Sequence, residues 1–272
     1  MPELPEVETI RRGIAPLIIG LTIDRVVVRT ERLRLPLPSN LNEVLSGRKI
    51  IAVSRRAKYL IIECAGDILL IVHFGMSGTI RYLNNFIPFD RHDHVDFHFR
   101  GGGLIRFRDP RRFGAIILSD SDVLLYPPFV TLGPEPLSEK FTAQYLYGIS
   151  RNRNIPIKVF LMDQKIVVGV GNIYASEALF AAGIAPWLTS GSLSLKQFGH
   201  LVRAVKNILN MAIAAGGTTL RDFFEATGKP GYFVQELKVY GRQGSECSVC
   251  SSRIETIRLG GRSSCYCPYC QK

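Results

Sequence analysis

Apolar positions change their spacing three times along the chain, and each change marks a different kind of structure. From Pro5 to about Ile14 they recur at helical intervals, at Val7, Ile10 and Ile14, with acids early and Arg11-Arg12 later. Pro16 is expected to kink or end this helix. After Gly20 the period becomes that of strands. Val26/Val28, Ile50/Ala52 and Val95/Phe97/Phe99 alternate, while Leu60–Ile62 and Ile68–Val72 are short continuous apolar runs. Turn residues separate them at Ala65-Gly66-Asp67, Ser77-Gly78 and Gly101-Gly102-Gly103. Roughly eight short strands at this spacing predict an antiparallel sandwich or barrel with the first helix packed on it.

From Tyr126-Pro127-Pro128 through Gly133-Pro134-Glu135-Pro136 the proline density excludes regular structure and predicts a linker. Beyond it the period is helical. One helix is expected over Ile155 to about Lys165, with Pro156 in its first turn, and another over Asn172 to Ala182. The longest, Leu195 to Ala215, presents Leu195, Phe198, Leu201, Val202, Val205, Ile208, Leu209 and Ala212 on one face. Ser194 and Gln197 are spaced as its capping box, and Gly216-Gly217 ends it. Residues 217–240 show no clear period and read as a mobile loop leading to a strand.

The 272 residues suffice for a substantial core. No apolar run is long enough for a membrane span and no secretory signal opens the chain, so the expected address is cytoplasmic; the expected form is a monomer. A net charge of +11 favours a polyanionic partner, nucleic acid ahead of membrane surface. Residues 1–137 carry 18 basic and 15 acidic side chains, whereas residues 138–272 carry 16 and 8. The second half therefore holds most of the surplus.

Five of the six cysteines fall between Cys247 and Cys270. Cys247/Cys250 and Cys267/Cys270 are two CxxC pairs separated by 16 residues, the spacing of a four-cysteine zinc ribbon. Four protein ligands leave no open position, so one structural Zn2+ is expected. Cys265 and Cys64 read as packed apolar thiols. Between the pairs, Ile254–Leu259 and Arg262–Tyr266 are predicted strands joined at Gly260-Gly261, which puts Arg262 beside the hairpin tip. Arg262 there is either a groove or phosphate contact or a solvated turn residue.

Candidate chemistry lies first at the N-terminus. A chain opening Met1-Pro2 normally loses its methionine, which leaves Pro2 with a free secondary amine able to form a Schiff base. Glu3, Glu6 and Glu8 crowd the same residues. The plainer reading is a helix start, since proline and carboxylates suit a first turn. The loop Asp109-Pro110-Arg111-Arg112-Phe113-Gly114 has the composition of a wedge, with arginine for phosphate or base edges and phenylalanine for an unstacked step. Met76, in the turn Gly75-Met76-Ser77-Gly78, is a second apolar wedge; both apolar side chains are otherwise buried under their own loops. Lys58, after Arg55-Arg56, is a candidate for phosphate or lesion contact. Gly169-Val170-Gly171-Asn172 lacks the third glycine of a dinucleotide fingerprint and reads as a tight turn offering Asn172 and helix N–H groups to a phosphate. Asn172 as a simple helix cap is equally compatible. His92, His94 and His98 lie in or next to the strand Asp93–Phe99 and read as surface or hydrogen-bonded residues.

Together these pieces resemble one family, the bacterial formamidopyrimidine-DNA glycosylases. The matching stretches are Pro2-Glu3-Leu4-Pro5-Glu6-Val7-Glu8-Thr9, Arg56-Ala57-Lys58-Tyr59-Leu60, Gly75-Met76-Ser77-Gly78, Asp109 to Gly114, Val168-Gly169-Val170-Gly171-Asn172-Ile173-Tyr174 and the cysteine ribbon. They run in order over the whole chain. Leu4 separates it from the related endonuclease VIII enzymes, which usually begin Pro-Glu-Gly-Pro. Cys265 stands where relatives often carry an aromatic residue.

The resemblance implies an α+β protein: an N-terminal antiparallel β-sandwich with an N-terminal helix (1–130), a linker (131–138), a helix–two-turns–helix DNA-binding domain (139–236) and a four-cysteine zinc-ribbon hairpin (237–272). DNA would lie between the two halves. It implies Pro2 as Schiff-base nucleophile, Glu3 as acid/base in opening the deoxyribose ring and Glu6 as a supporting acid. Lys58, His73, Asn172 and Arg262 would bind phosphates around the lesion, with Lys58 and Arg262 also close to the chemistry, and His92 joins the DNA-binding set. Met76, Arg111 and Phe113 would fill the space left by a flipped nucleotide, and residues near 217–238 would close over the damaged base. The implied activity is excision of oxidised purines from duplex DNA followed by β- and δ-elimination at the abasic site, in a protein associated with the nucleoid during repair. Oxidised pyrimidines as substrates, or a catalytically silent zinc-ribbon DNA-binding protein, are the alternatives.

Overall fold

A computed structural model describes residues 2–85, 87–119, 129–218 and 233–272. They belong to two compact units, Met1–Val130 with Ala215–Tyr232, and Thr131–Ala214 with Phe233–Lys272. Among the described residues no helix is long and apolar enough to cross a membrane. Met1, Phe86, residues 120–128, which include the first residues of the expected proline-rich linker, and residues 219–232 of the expected closing loop lie outside the described residues.

The first unit begins with α1 (Leu4–Ile18), whose start is written in a capping box. Glu3 is the N-cap, and Glu6 returns its carboxylate to the Glu3 N–H at 2.8 Å. The helix runs two residues past Pro16 instead of stopping there. Pro16 is exposed, so water can satisfy the carbonyl its ring leaves without a partner, while Ile18 is fully buried and draws the last turn inward. Val7, Ile10, Ile14 and Ile18 form the buried stripe.

Eight strands follow: β1 (Ile23–Val28), β2 (Ile50–Arg56), β3 (Tyr59–Cys64), β4 (Ile68–His73), β5 (Thr79–Leu83), β6 (Asp93–Phe99), β7 (Leu104–Arg108) and β8 (Ala115–Ser119). They form two antiparallel sheets, β1-β6-β7-β5 and β2-β3-β4-β8. Two separate sheets make the sandwich of the two alternatives. One apolar cluster joins α1 to residues from both, including Val53, Leu60, Val72, Phe74, Val95 and Phe107. The short helix α2 (Leu41–Leu45), unanticipated from the sequence, adds Leu41 and Leu45 one turn apart.

The second unit holds α3 (Ala143–Ser150), α4 (Ile157–Met162), α5 (Asn172–Ala181), α6 (Leu195–Ala214), β9 (Glu255–Leu259) and β10 (Arg262–Tyr266). The α6 capping box forms as its spacing predicts, with Gln197 N–H donating to Ser194 Oγ and Ser194 N–H to Gln197 Oε1. Thr142 Oγ1 caps α3 by accepting from Tyr145 N–H at 3.1 Å. Helix α4 is shorter than its periodicity predicts. Pro156 is its N-cap, and at the far end Asp163 turns extended while its carbonyl takes the N–H groups of Ile166 and Val167. The strand expected after residue 240 is absent among the described residues. Phe233–Glu236 is a 3-10 turn, and the N–H groups of Lys238, Val239 and Tyr240, leading into that stretch, all donate to the buried carboxylate of Glu177. Burial raises the Glu177 pKa despite those three donors.

Candidate active site and nucleic-acid interface

Pro2 is buried immediately ahead of α1. Glu3 and Glu6 are each 2% exposed. The Glu6 carboxylate is shared between two segments. Oε2 accepts from Glu3 N–H, and Oε1 accepts from both the N–H and the hydroxyl of Thr218, at 2.9 and 2.8 Å. The helix start thus fixes the backbone next to Pro2.

Lys58 follows Ala57 in the tight turn between β2 and β3, where Arg56 pairs with Tyr59. Ala57 adopts a left-handed φ of 55°, a conformation that disfavours side chains. Arg55 braces this turn, donating from Nη1 to the Ala57 carbonyl and from Nε to Glu8 of α1. Burial works against ionisation of Glu8, but hydrogen bonds from Arg11 and Arg12 and the charge of Arg55 prevail and hold its pKa at about 2. A permanent carboxylate on α1 therefore ties the helix to the Lys58 turn.

His73 ends β4 opposite Tyr59, with their rings 4.9 Å apart. Its Nδ1 accepts from the Gly75 N–H at 3.1 Å, which leaves the ring proton on Nε2. Burial, then the positive charges of Arg34 and Lys58, push its pKa down to about 4. His73 is a neutral donor at physiological pH. Arg34, which the motif reading passed over, joins this corner through its N–H bond to the Gly114 carbonyl.

The wedge candidates occupy two neighbouring loops. Phe113 is 45% exposed and Met76 half-buried, so neither is sealed under its loop. The Arg111 guanidinium lies 4.9 Å from the centre of the Phe113 ring. His92 is half-buried before β6 and accepts on Nε2 from Arg91.

In the second unit Asn172 is the first residue of α5, and Gly171 takes the N-cap position, so Asn172 is not the cap. Its Oδ1 accepts from Lys158 Nζ at 2.7 Å, leaving the amide NH2 as the group it can present. Lys158, only 1% exposed, also donates to the Ser263 carbonyl and to Ser264 Oγ in β10. One buried ammonium therefore registers the Asn172 turn against the hairpin that carries Arg262. Gln164 secures the other side of the turn by accepting from Gly169 N–H and donating to the Val170 carbonyl. The hairpin closes as predicted, Leu259 pairing with Arg262 across Gly260-Gly261, both with positive φ. A Cβ at Gly260 would meet Val159 of α4 at 3.0 Å, so the tip is packed on one side.

The sulfur atoms of Cys247, Cys250, Cys267 and Cys270 lie within 4.8 Å of one another. A tetrahedral zinc with bonds near 2.3 Å separates its sulfurs by ~3.8 Å, and the Cys247–Cys270 and Cys250–Cys267 pairs stand at 3.9 and 3.4 Å. Backbone N–H groups of Val249 and Cys270 point at Cys247 and Cys267 sulfurs, as thiolate ligands require. The set fits one structural zinc ion. Cys265 faces Thr256 outside it.

The domains that the chain matches run in the same order as these features. The formamidopyrimidine-DNA glycosylase N-terminal domain matches residues 1–116, the formamidopyrimidine-DNA glycosylase H2TH domain residues 132–224, and the zinc finger found in FPG and IleRS residues 244–272. The chain belongs to the formamidopyrimidine-DNA glycosylase family. It is 52% identical to formamidopyrimidine-DNA glycosylase of Pseudomonas aeruginosa and 53% to that of Stutzerimonas stutzeri, each over 272 residues and 100% of both chains. Among solved structures it is similar to a Lactococcus lactis FPG mutant bound to Fapy-dG DNA, at 36% identity, full coverage of both chains and a TM-score of 0.93. It is likewise similar to MutM bound to carbocyclic 8-oxo-G DNA, at 36% identity, full coverage of both chains and a TM-score of 0.92.

Lys158 and Thr218, which bind the candidate residues Asn172 and Glu6, and Glu177, which holds the 238–240 backbone, were not visible in the motifs. A lysine inside a helical apolar run carries only a faint signal, because snorkelling to solvent is its ordinary fate. Thr218 lies 212 residues from the carboxylate it binds.

Proposed function

We propose that this enzyme excises oxidised purines, 8-oxoguanine and formamidopyrimidines, from duplex DNA through a Schiff base on Pro2, then cleaves the abasic strand by β- and δ-elimination. Family membership makes it a DNA glycosylase and abasic-site lyase; the assignment of steps to residues is our reading. The observation that supports it best is the placement of Pro2. Its backbone is anchored by the Glu3–Glu6 capping box and the Glu6–Thr218 bonds.

In this reading Lys58, His73, Asn172 and Arg262 hold phosphates around the lesion, so affinity is salt-dependent and nearly independent of sequence. Met76, Arg111 and Phe113 occupy the space of the extruded nucleotide, whose extrusion costs a few kcal/mol. The neutral Pro2 nitrogen attacks C1′ and releases its proton as the base departs with its bonding pair and takes up a proton. Glu3 protonates the ring oxygen as the sugar opens, and the resulting iminium acidifies the C2′ hydrogens. Loss of a C2′ proton expels the 3′ phosphate, and a second elimination expels the 5′ phosphate. Zinc braces the hairpin and takes no part in these steps. The same reading places the domain boundaries at residues 130, 138 and 236, and the enzyme in the cytoplasm, at the nucleoid during repair.

Borohydride reduction during turnover tests it. A covalent adduct with an 8-oxoguanine duplex, mapped to Pro2 by peptide mass spectrometry and lost when one residue precedes Pro2, is the expected result. Undiminished trapping with that extension would overturn it.

A further inference from the structure

The two wedge loops come from distant stretches of sequence, yet two buried side chains join them. Ser77, 3% exposed, donates from Oγ to Asp109 Oδ1 at 2.6 Å, and the same Oγ accepts from the Arg111 N–H at 3.1 Å. Asp109 is fully buried. Its second oxygen, Oδ2, accepts from the Gly114 N–H at 2.8 Å, so its carboxylate spans the loop that contains Arg111 and Phe113. Its backbone is held as firmly. The Asp109 carbonyl takes the Arg112 N–H and the His94 Nε2–H, and its N–H donates to the His92 carbonyl. Within that frame Arg112 sits at a left-handed φ of 55°, strain that only an over-determined loop retains.

The loops also touch directly. A Cβ at Gly75 would collide with the Phe113 backbone, and one at Gly114 would fall 2.9 Å from the His73 carbonyl oxygen. Glycine at both positions lets the two backbones meet. Nothing in the phosphate contacts or the Pro2 chemistry requires a buried serine–aspartate pair at this point. Exposed wedge residues on independent loops, however, would each spend ordering entropy when inserted into DNA.

We propose that Ser77 and Asp109 are positioning residues that lock the Met76 turn to the Arg111–Phe113 loop, so that the three wedge residues enter the duplex as one rigid unit. The proposal rests on the wedge reading given above, and its function is extrusion of the nucleotide and scrutiny of the opposite base, not bond cleavage. A hydrogen bond of this kind, once lost, slows the step it serves by about 10-fold.

The test uses the full-length, zinc-loaded enzyme. Single-turnover excision from an 8-oxoguanine·C duplex is measured beside borohydride trapping at a preformed abasic site and 2-aminopurine fluorescence of extrusion. Ser77→Ala is expected to slow excision and the fluorescence rise about 10-fold while leaving trapping within about two-fold. In a Met76→Ala/Phe113→Ala background the same substitution is expected to change extrusion by less than about two-fold, since its effect passes through those side chains. Asp109→Asn, which keeps the shape and part of the bonding, should fall between wild type and Ser77→Ala and serves if the alanine variant does not fold. Equal losses in both backgrounds, or equal losses in extrusion and trapping, would overturn the lock. If Met76→Ala/Phe113→Ala alone extrudes at the wild-type rate, the wedge reading fails and the lock with it.

Discussion

Lys158 Nζ lies 2.7 Å from Asn172 Oδ1, inside a unit where this lysine is almost completely shielded from water. The bond fixes which end of the asparagine amide faces outward, and bonds to Ser263 and Ser264 set the Arg262 hairpin by the same cation. Lys158→Met fills the space but leaves three acceptors without it. We expect the melting free energy to fall by about 1–3 kcal/mol and affinity for abasic-site duplex to fall about 10-fold. Unchanged affinity with lowered stability would show that Asn172 needs no orienting partner.

Glu6→Gln replaces an acceptor-only group by one that must place an NH2 against a donor. Either Glu3 N–H or the Thr218 pair then loses its partner, because both Glu6 oxygens are used. A stability loss of about 1–3 kcal/mol is expected, together with at least about 10-fold less borohydride-trapped adduct. Wild-type trapping in a stably folded Glu6→Gln enzyme would remove the capping box from the account of how Pro2 is held.

His73 makes a prediction about pH and one about salt. Its folded pKa, near 4, lies below the ordinary histidine value, so the unfolded chain binds this proton more readily than the native one. The stabilisation is complete above about pH 6.5 and is lost as pH falls toward 4. Thermal melts between pH 7 and pH 4.5 should therefore slope less steeply for His73→Gln than for wild type. Because the ring is neutral, His73→Gln should also leave the salt dependence of DNA affinity unaltered, whereas Lys58→Ala should reduce the slope of log K against log salt by about 0.9. A reduced slope in His73→Gln would mean that the ring is charged when DNA is bound.

Removal of the metal should act through the hairpin. Chelation is expected to release one zinc per chain, read with a colorimetric indicator, and to weaken DNA binding about 10-fold or more by freeing the Arg262 hairpin. Cys265→Ala, outside the ligand set, should retain the zinc. Release of two ions per chain, or zinc loss in Cys265→Ala, would contradict the four-sulfur site.

The elements most legible in the sequence were those specified by local chemistry. The Ser194/Gln197 box, the Gly260-Gly261 turn and the paired cysteines each fix a geometry within a few residues, and each forms as expected. The end of α1 was less legible because Pro16 costs little on a wet face when Ile18 gains a core position. The missing strand after residue 240 could not be read locally at all. The residues leading into it, Lys238 to Tyr240, are pinned by Glu177, 61 to 63 positions away. The motif residues of the site were likewise visible as types, but the side chains that hold them, Lys158 and Thr218, were not. Their partners are set by tertiary folding alone.

The double use of Glu6 also bears on how the chain can be redesigned. One carboxylate serves as a socket for residue 218, and the socket accepts an N–H and a hydroxyl from the same residue. Only threonine or serine offers that pair in so short a side chain. A change of sequence beyond position 218 leaves the attachment of Thr218 to α1 in place, provided this one plug is kept. Residue 218 is therefore held to the first turn of α1 through a single carboxylate, and only a hydroxyl residue at that position keeps both bonds.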